Sequence, residues 1–450
     1  MRRLFSLLML AMAIHCGAQH VSIADNEFQI DGEQVWFNGI NTPWHNFNDF
    51  GNPSFNFDWW TSEFQKYAQN NINLARVWIH MSGEISPTIE SDGYITGVPA
   101  DFWTHMDHLF KIAKDNKVYI IPALFSFDIT QDKYSTHEQW RLFIQNPHNV
   151  TSYINNVLKP MLERYRDEDY LLAWEICNEP EWMFENTEHG PQSQDDVQVF
   201  HAMIAAAIHE NSSQLVTTGS AAPKWNSSVY KSWGGTAGNM YSDDALTGAI
   251  DDDNAYLDFY QFHWYAWQTS SMGSPFTKTT ASYKVDDKPV LVGESEGNDV
   301  CDDNFCQTVT EMYENAYTNG FDGVCAWKTP QNDGHGTFEN IAEATNAFYA
   351  NHPELILNGP STIDAGTEQT SALFSIHPNP AQNGHTLLQY SNLLDASLLT
   401  ITNLNGATIR QIKLDKSGEV NVELNGINNG IYLVNISTSN NTLTQKLIIQ

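Results

Sequence analysis

Leu171-Leu172-Ala173-Trp174-Glu175-Ile176-Cys177-Asn178-Glu179-Pro180 is an apolar run that ends abruptly in an amide, a carboxylate and a proline. Lys288-Pro289-Val290-Leu291-Val292-Gly293-Glu294 has the same shape and also ends in a glutamate. Runs this continuously apolar belong to strands covered on both faces, the environment of a parallel sheet. Working outward, similar runs lie at 35–41, 73–79, 117–125, 214–218, 260–264 and 323–327. Helical periodicity appears between most of them, at 57–69, 102–115, 150–165, 197–210 and 309–318. Eight such units over about 320 residues predict an α/β fold, a (β/α)8 TIM barrel. An open doubly wound sheet is the main rival. It would carry a glycine-rich phosphate loop after its first strand, and none follows residue 41.

The 450-residue chain is too long for the barrel alone. It opens with Met1-Arg2-Arg3, a short apolar run to Ile14 and then Cys16-Gly17-Ala18, the layout of a signal peptide over 1–18. The run is too short to span a bilayer. His15 before Cys16 is not the small residue that lipidation requires. The barrel is expected over 19–356. A polar stretch at 357–372 reads as a linker, and 373–450 reads as a small all-β, sandwich-like domain of short alternating strands with Gly and Asn turns. Cys301 and Cys306 are near enough in sequence to close a small disulfide in an exported protein, whereas Cys177 and Cys325 sit in apolar runs as buried thiols. No CxxC or Cys/His array suggests a metal. The acidic clusters at 251–253 and 302–303 read as solvated loops before they read as calcium sites.

With 22 Lys and Arg against 54 Asp and Glu, the formal charge is −32, which argues against a nucleic-acid partner. The 14 tryptophans are compatible with stacking on sugar rings, although most tryptophans in any protein are core.

In a barrel, side chains at the carboxyl ends of strands meet in one mouth. Glu179 and Glu294 end two different strands, the fourth and the seventh. Hydrolysis of a glycosidic bond needs such a pair, one carboxylic acid to protonate the leaving oxygen and one carboxylate at the anomeric carbon. Glu175, Glu181 and Glu296 compete for these roles. Glu175 lies inside its strand and should point into the barrel, and Glu181 and Glu296 lie beyond the strand ends.

Asn178-Glu179-Pro180 and 288–294 resemble the acid/base and nucleophile signatures of glycoside hydrolase family 5, a family of retaining (β/α)8 β-glycanases. The resemblance extends over about 26–350 through Asp31-Gly32, Phe37-Asn38-Gly39-Ile40-Asn41, Arg76, His263-Trp264-Tyr265 and Trp327. It implies Glu179 as acid/base and Glu294 as nucleophile. It implies support from Arg76 and Tyr265 at Glu294, Asn178 at the sugar 2-hydroxyl, His263 beside the acid/base and Trp327 as the floor under the cleaved sugar. Trp44, Trp78, His80, Trp182 and Trp267 lie near strand ends and are further subsite candidates. Asn41-Thr42-Pro43-Trp44 and Arg76-Val77-Trp78 lean toward the mannan-cleaving members. Ser295-Glu296-Gly297 departs from the aromatic-Gly pair that often follows the nucleophile, which blurs the subfamily.

The tail has its own resemblance. His377-Pro378-Asn379-Pro380-Ala381, Asn405-Gly406, Gly430-Ile431-Tyr432-Leu433 and the terminal Lys446-Leu447-Ile448-Ile449 are similar to the sorting domain of the type IX secretion system. A sugar-binding module is the alternative, but the tail has no Trp. The expectation is therefore a secreted or surface-exposed, monomeric endo-β-glycanase that needs no cofactor. Its partners are a polysaccharide and the type IX machinery. β-1,4-Mannan ranks ahead of cellulose or another β-glucan as substrate, and a non-catalytic carbohydrate-binding protein on a barrel scaffold is the rival of another class.

Overall fold

The computed structural model describes residues 21–449 except 187–189, 191, 231–237, 329–333, 357–372, 383–384, 392–396, 404–406, 415–417, 425 and 438–441. The expected signal peptide and linker lie outside the described residues. The chain forms two units, Met1–Pro360 and Ser361–Gln450.

In the first unit eight parallel strands close into a barrel: β1 (Phe37–Asn41), β2 (Leu74–Trp78), β3 (Tyr119–Ser126), β4 (Ala173–Asn178), β5 (Leu215–Ser220), β6 (Tyr260–His263), β7 (Val290–Ser295) and β8 (Gly323–Ala326). All eight fall where the apolar runs predict them. The strands are buried along almost their whole length, as strands with helices outside and packed side chains inside must be.

The outer helices begin where local chemistry starts them. Asn56 caps α1 (Phe57–Gln69) by accepting from the Trp59 N–H, and the helix turns Trp60, Phe64 and Tyr67 inward at helical spacing. Capping boxes open the helix Gln194–Asn211 with Ser193 and Asp196, and the helix Val309–Thr318 with Thr308 and Glu311. The helical stretch expected at 150–165 contains a wide π turn at Ile154–Leu158. Pro160 follows, lacks an N–H and would crowd the carbonyl four residues back, which the wider turn relieves.

Among the described residues the second unit has seven strands, with Gly430–Ser437 and Thr442–Ile449 pairing antiparallel over their full length. Leu399, Ile401, Leu414, Val422, Val434, Ile436 and Leu447 form its separate core. The long strand Leu373–Gln382 loses register with its neighbour between His377 and Gln382. Pro378 and Pro380 lie in that gap and have no N–H for a ladder. Past it, Ala381 pairs in parallel with Ile449.

Cys301 and Cys306 form a disulfide, and Cys177 and Cys325 are buried thiols. Asp251 ends the helix Asp243–Ile250 in a left-handed conformation, and Asp302 accepts from the backbone N–H groups of Asn304 and Phe305. Both acidic clusters thus include residues that build turns.

Candidate active site

Strand register assembles the site. Asn41 lies beside Arg76 across β1 and β2, and Ser126 beside Asn178 across β3 and β4. Asn178 lies beside Gly219 across β4 and β5, and His263 beside Glu294 across β6 and β7. These residues all sit at or near the carboxyl ends of their strands, so one mouth collects them.

Arg76 is fully buried at the centre. Its Nε and Nη2 donate to the two oxygens of Glu175 at 2.5 and 2.6 Å. Nη1 donates to Glu294 Oε1 at 2.8 Å and to Asn41 Oδ1 at 3.0 Å, and Nη2 also donates to Asn178 Oδ1 at 2.7 Å. A guanidinium out of water needs this degree of compensation. Glu175 therefore points into the barrel, as expected from its place inside the strand, and serves as the deep counter-charge to Arg76. Gly219 leaves room for the cluster. A Cβ there would stand 2.7 Å from both Arg76 Nη2 and Glu175 Oε1, and 2.9 Å from His263 Nε2.

Glu294 Oε2 accepts from the Tyr265 hydroxyl at 2.8 Å. Burial and the Glu294 charge raise the Tyr265 pKa well above its usual value, so the phenol keeps its proton and donates. Burial also raises the Glu294 pKa, and the Glu179 charge adds to this, while His263, Arg76 and Tyr265 pull it back.

Glu179 stands one residue beyond β4 with φ of +46°, a left-handed conformation that costs energy for a residue with a side chain. Its N–H donates to Gly219 O at 2.7 Å. Trp182 Nε1 donates to Oε2 at 3.0 Å, and His263 Nδ1 is 2.9 Å from Oε1. Burial pushes the Glu179 pKa up to about 7; the Trp182 hydrogen bond and Arg76 act against this, and the charges of Asp128 and Glu175 act with it. Burial pushes the His263 pKa down to about 4, so at neutral pH no imidazolium stands between the two glutamates.

His263 Nδ1 is also 3.6 Å from Glu294 Oε2. One ligand atom each from Glu179, His263 and Glu294 lies within 4.8 Å of the other two, close enough to hold a cation. A cation there would compete with Arg76 and Tyr265, which already bond both Glu294 oxygens.

A pocket of about 330 Å3 opens at Glu179. Glu179, Tyr265, Trp327, Trp182 and Trp267 line it, with Trp267 63% exposed. Trp44 is half-buried, and its ring lies 6.3 Å from those of both Trp78 and Trp327. Trp78 is buried behind these rings, with the Arg76 guanidinium 4.2 Å from its own ring centre. It backs the wall and does not face the pocket. His80 does not line this pocket. It is buried and stacked on Phe102, with Nδ1 2.9 Å from Ser86 Oγ and Nε2 3.2 Å from the Tyr153 hydroxyl. Burial pushes its pKa down to about 3.

Of the competing glutamates, Glu181 is buried and accepts from the Ala221 N–H and the Tyr241 hydroxyl, while Glu296 accepts from the Ala266 N–H and lies 3.0 Å from His335 Nδ1. His335, Gln268 and Ala221 also line the pocket and carry no motif that marks them.

Residues 28–333 match the family Cellulase (glycosyl hydrolase family 5). The chain belongs to glycosyl hydrolase family 5. It is a glycoside hydrolase, and the strand-end glutamates lie in the barrel that this family shares. A mannan endo-1,4-beta-mannosidase from Cryptopygus antarcticus is 28% identical over 73% of this chain and 90% of its own length. A mannan endo-1,4-beta-mannosidase from Mytilus edulis is 27% identical over 72% and 91%. The solved beta-1,4-mannanase from the sea hare Aplysia kurodai superposes with a TM-score of 0.64 at 27% identity, covering 76% of this chain and 98% of that one. Residues 375–450 match the secretion system C-terminal sorting domain, which directs a chain by type IX secretion to the cell surface or the extracellular space.

Proposed function

We propose that this family 5 hydrolase is a mannan endo-1,4-β-mannosidase that works by double displacement with retention of configuration. Glu179 is its acid/base and Glu294 its nucleophile. The observation that carries the reading is the pair itself. The two carboxylates face each other with oxygens within 4.8 Å, closer to the about 5–5.5 Å spacing of retaining enzymes than to the gap near 9 Å that inversion needs for its water. Their surroundings also differ in the required sense. Glu179 has the pKa of about 7 that lets it arrive protonated, and Glu294 has a buried cation and a phenol on its oxygens.

In the first step Glu179 gives its proton to the glycosidic oxygen while Glu294 attacks the anomeric carbon and the leaving chain departs. In the second, the Glu179 carboxylate takes a proton from water as that water attacks the same carbon, and Glu294 is released. Asn178 bonds the sugar 2-hydroxyl, and Trp327 is the floor beneath the ring. The mannan assignment draws on the mannosidases of Cryptopygus antarcticus and Mytilus edulis, which match over nine-tenths of their own length. Residues 1–18 act as the signal peptide that takes the chain across the inner membrane before the sorting domain is used.

The test is reducing-sugar release over mannan, glucomannan, cellulose, lichenan and xylan. Mannan and glucomannan should be cleaved in mid-chain at least about tenfold faster than the others, the factor that 1.4 kcal/mol of transition-state preference produces. Faster cleavage of cellulose or lichenan would move the assignment to a β-glucanase, and binding without cleavage would favour the non-catalytic reading.

A further inference from the structure

Asp128 lies two residues beyond β3 and takes no part in the steps above. It is buried, and it ends a chain of polar contacts that starts at Arg76. Arg76 Nη2 donates to Asn178 Oδ1 at 2.7 Å, Asn178 Nδ2 donates to Ser126 Oγ at 3.3 Å, and Ser126 Oγ donates to Asp128 Oδ2 at 2.7 Å. The Tyr134 hydroxyl donates to the other carboxylate oxygen at 3.4 Å, and Lys133 Nζ stands 3.8 Å from it.

The chain has a direction because its two ends permit only one. A guanidinium only donates and a carboxylate only accepts. Ser126 has a single hydroxyl proton. Asp128 takes it, so the Ser126 oxygen is left as an acceptor. Asn178 must then turn its NH2 toward Ser126 and its carbonyl toward Arg76. An amide can sit either way round in the same space, and its partners decide which. In this orientation one Asn178 N–H goes to Ser126 and the second is left for a ligand.

We infer that Asp128 is a positioning residue that acts through Ser126: it holds the Ser126 proton, so that the Ser126 oxygen accepts one Asn178 N–H and the amide that Arg76 orients is pinned with its second N–H at the 2-hydroxyl of the sugar at the cleavage point. This rests on the reading of Asn178 given under the proposed function. It adds a residue outside that set, and nothing about Asp128 itself touches the substrate.

Asp128→Asn is the sharp variant. It keeps the shape but lets an amide donate toward Ser126, which turns the Ser126 proton toward the Asn178 NH2 and removes that anchor, while Arg76 still holds the Asn178 carbonyl. The experiment uses the full chain and two aryl β-mannobiosides, one intact and one lacking the hydroxyl on carbon 2 of the sugar that bears the aryl group. If the wild type prefers an aryl β-cellobioside, the corresponding glucoside pair is used. A wrong sugar assignment then appears as a change of substrate and leaves the comparison intact.

On the intact substrate Asp128→Asn should lower kcat about tenfold or more, with KM within about threefold, because the 2-hydroxyl contact strengthens in the transition state. On the deoxy substrate the variant and wild type should agree within about twofold, since there is no hydroxyl to misalign. Ser126→Ala should give the same signature without touching the buried charge, and Ser126→Thr, which restores a hydroxyl, should recover most of the rate. These two variants carry the test if Asp128→Asn does not fold. Equal losses on both substrates, or no loss on either, would overturn the inference.

Discussion

Glu294 and Glu179 are the same residue type, yet the protein surrounds them differently. Glu294 lies within β7 and takes a guanidinium N–H on one oxygen and a phenol on the other. Glu179 is turned off the end of β4 at φ +46°, between an indole N–H and a neutral imidazole. Each carboxylate is lifted by burial, but the permanent cation bonds only Glu294 directly. The lesson is that register sets the chemistry. The strands bring Arg76 to Glu294 and stop short of Glu179, so Glu294 carries a bonded cation that opposes the effect of burial, and Glu179 has no such direct bond.

The largest effect is expected from removing the proposed nucleophile. Glu294→Ala should lower kcat on polysaccharide by about 10^4-fold or more while binding of the polymer is retained, measured by reducing-sugar release and by affinity electrophoresis. Glu179→Ala should cost about 10^3-fold on the polymer, but much less on an aryl glycoside whose leaving group needs no proton. The same residue should shape the pH profile. As the proposed acid it must be protonated to act, so wild-type kcat/KM should fall as pH rises through about 7, and this alkaline limb should vanish on the activated substrate in Glu179→Ala.

Arg76→Met tests the other side of the contrast. It leaves Glu175 and Glu294 buried without their cation and should destabilise the protein by about 3–5 kcal/mol, read by denaturant unfolding. The smallest effect belongs to the rim. Trp267→Ala removes one largely exposed ring from the pocket wall and should raise KM about 3–10-fold with kcat little changed.

Much of this was legible in the sequence because it follows from position along a strand. The eight apolar runs mark the eight strands. Glu175, inside its run, had to point inward, and Glu179, past the end of the same run, had to face the mouth. His80 shows the limit. It follows β2 as a subsite residue would, but its ring turns toward Ser86 and Tyr153, partners 6 and 73 residues away that no local pattern reveals. Trp78 is buried as well, edge to face with the rings of Trp44 and Trp327. His335 and Gln268 went unmarked because loops after β8 and β6 carry them to the pocket, and loops have no period to read. Asp128 has a signal only in hindsight. It stands two residues past Ser126, and the register of β3 against β4 makes Ser126 the neighbour of Asn178.

On the proposed mechanism Glu294, and not Glu179, forms the bond to the sugar. Incubation with an aryl 2-deoxy-2-fluoro-β-mannobioside, whose fluorine slows release of the glycosyl-enzyme, followed by peptide mass spectrometry, tests it directly. The label should lie on the peptide that carries Glu294. A label on the peptide that carries Glu179, or turnover with inverted configuration and no labelled peptide, would contradict it.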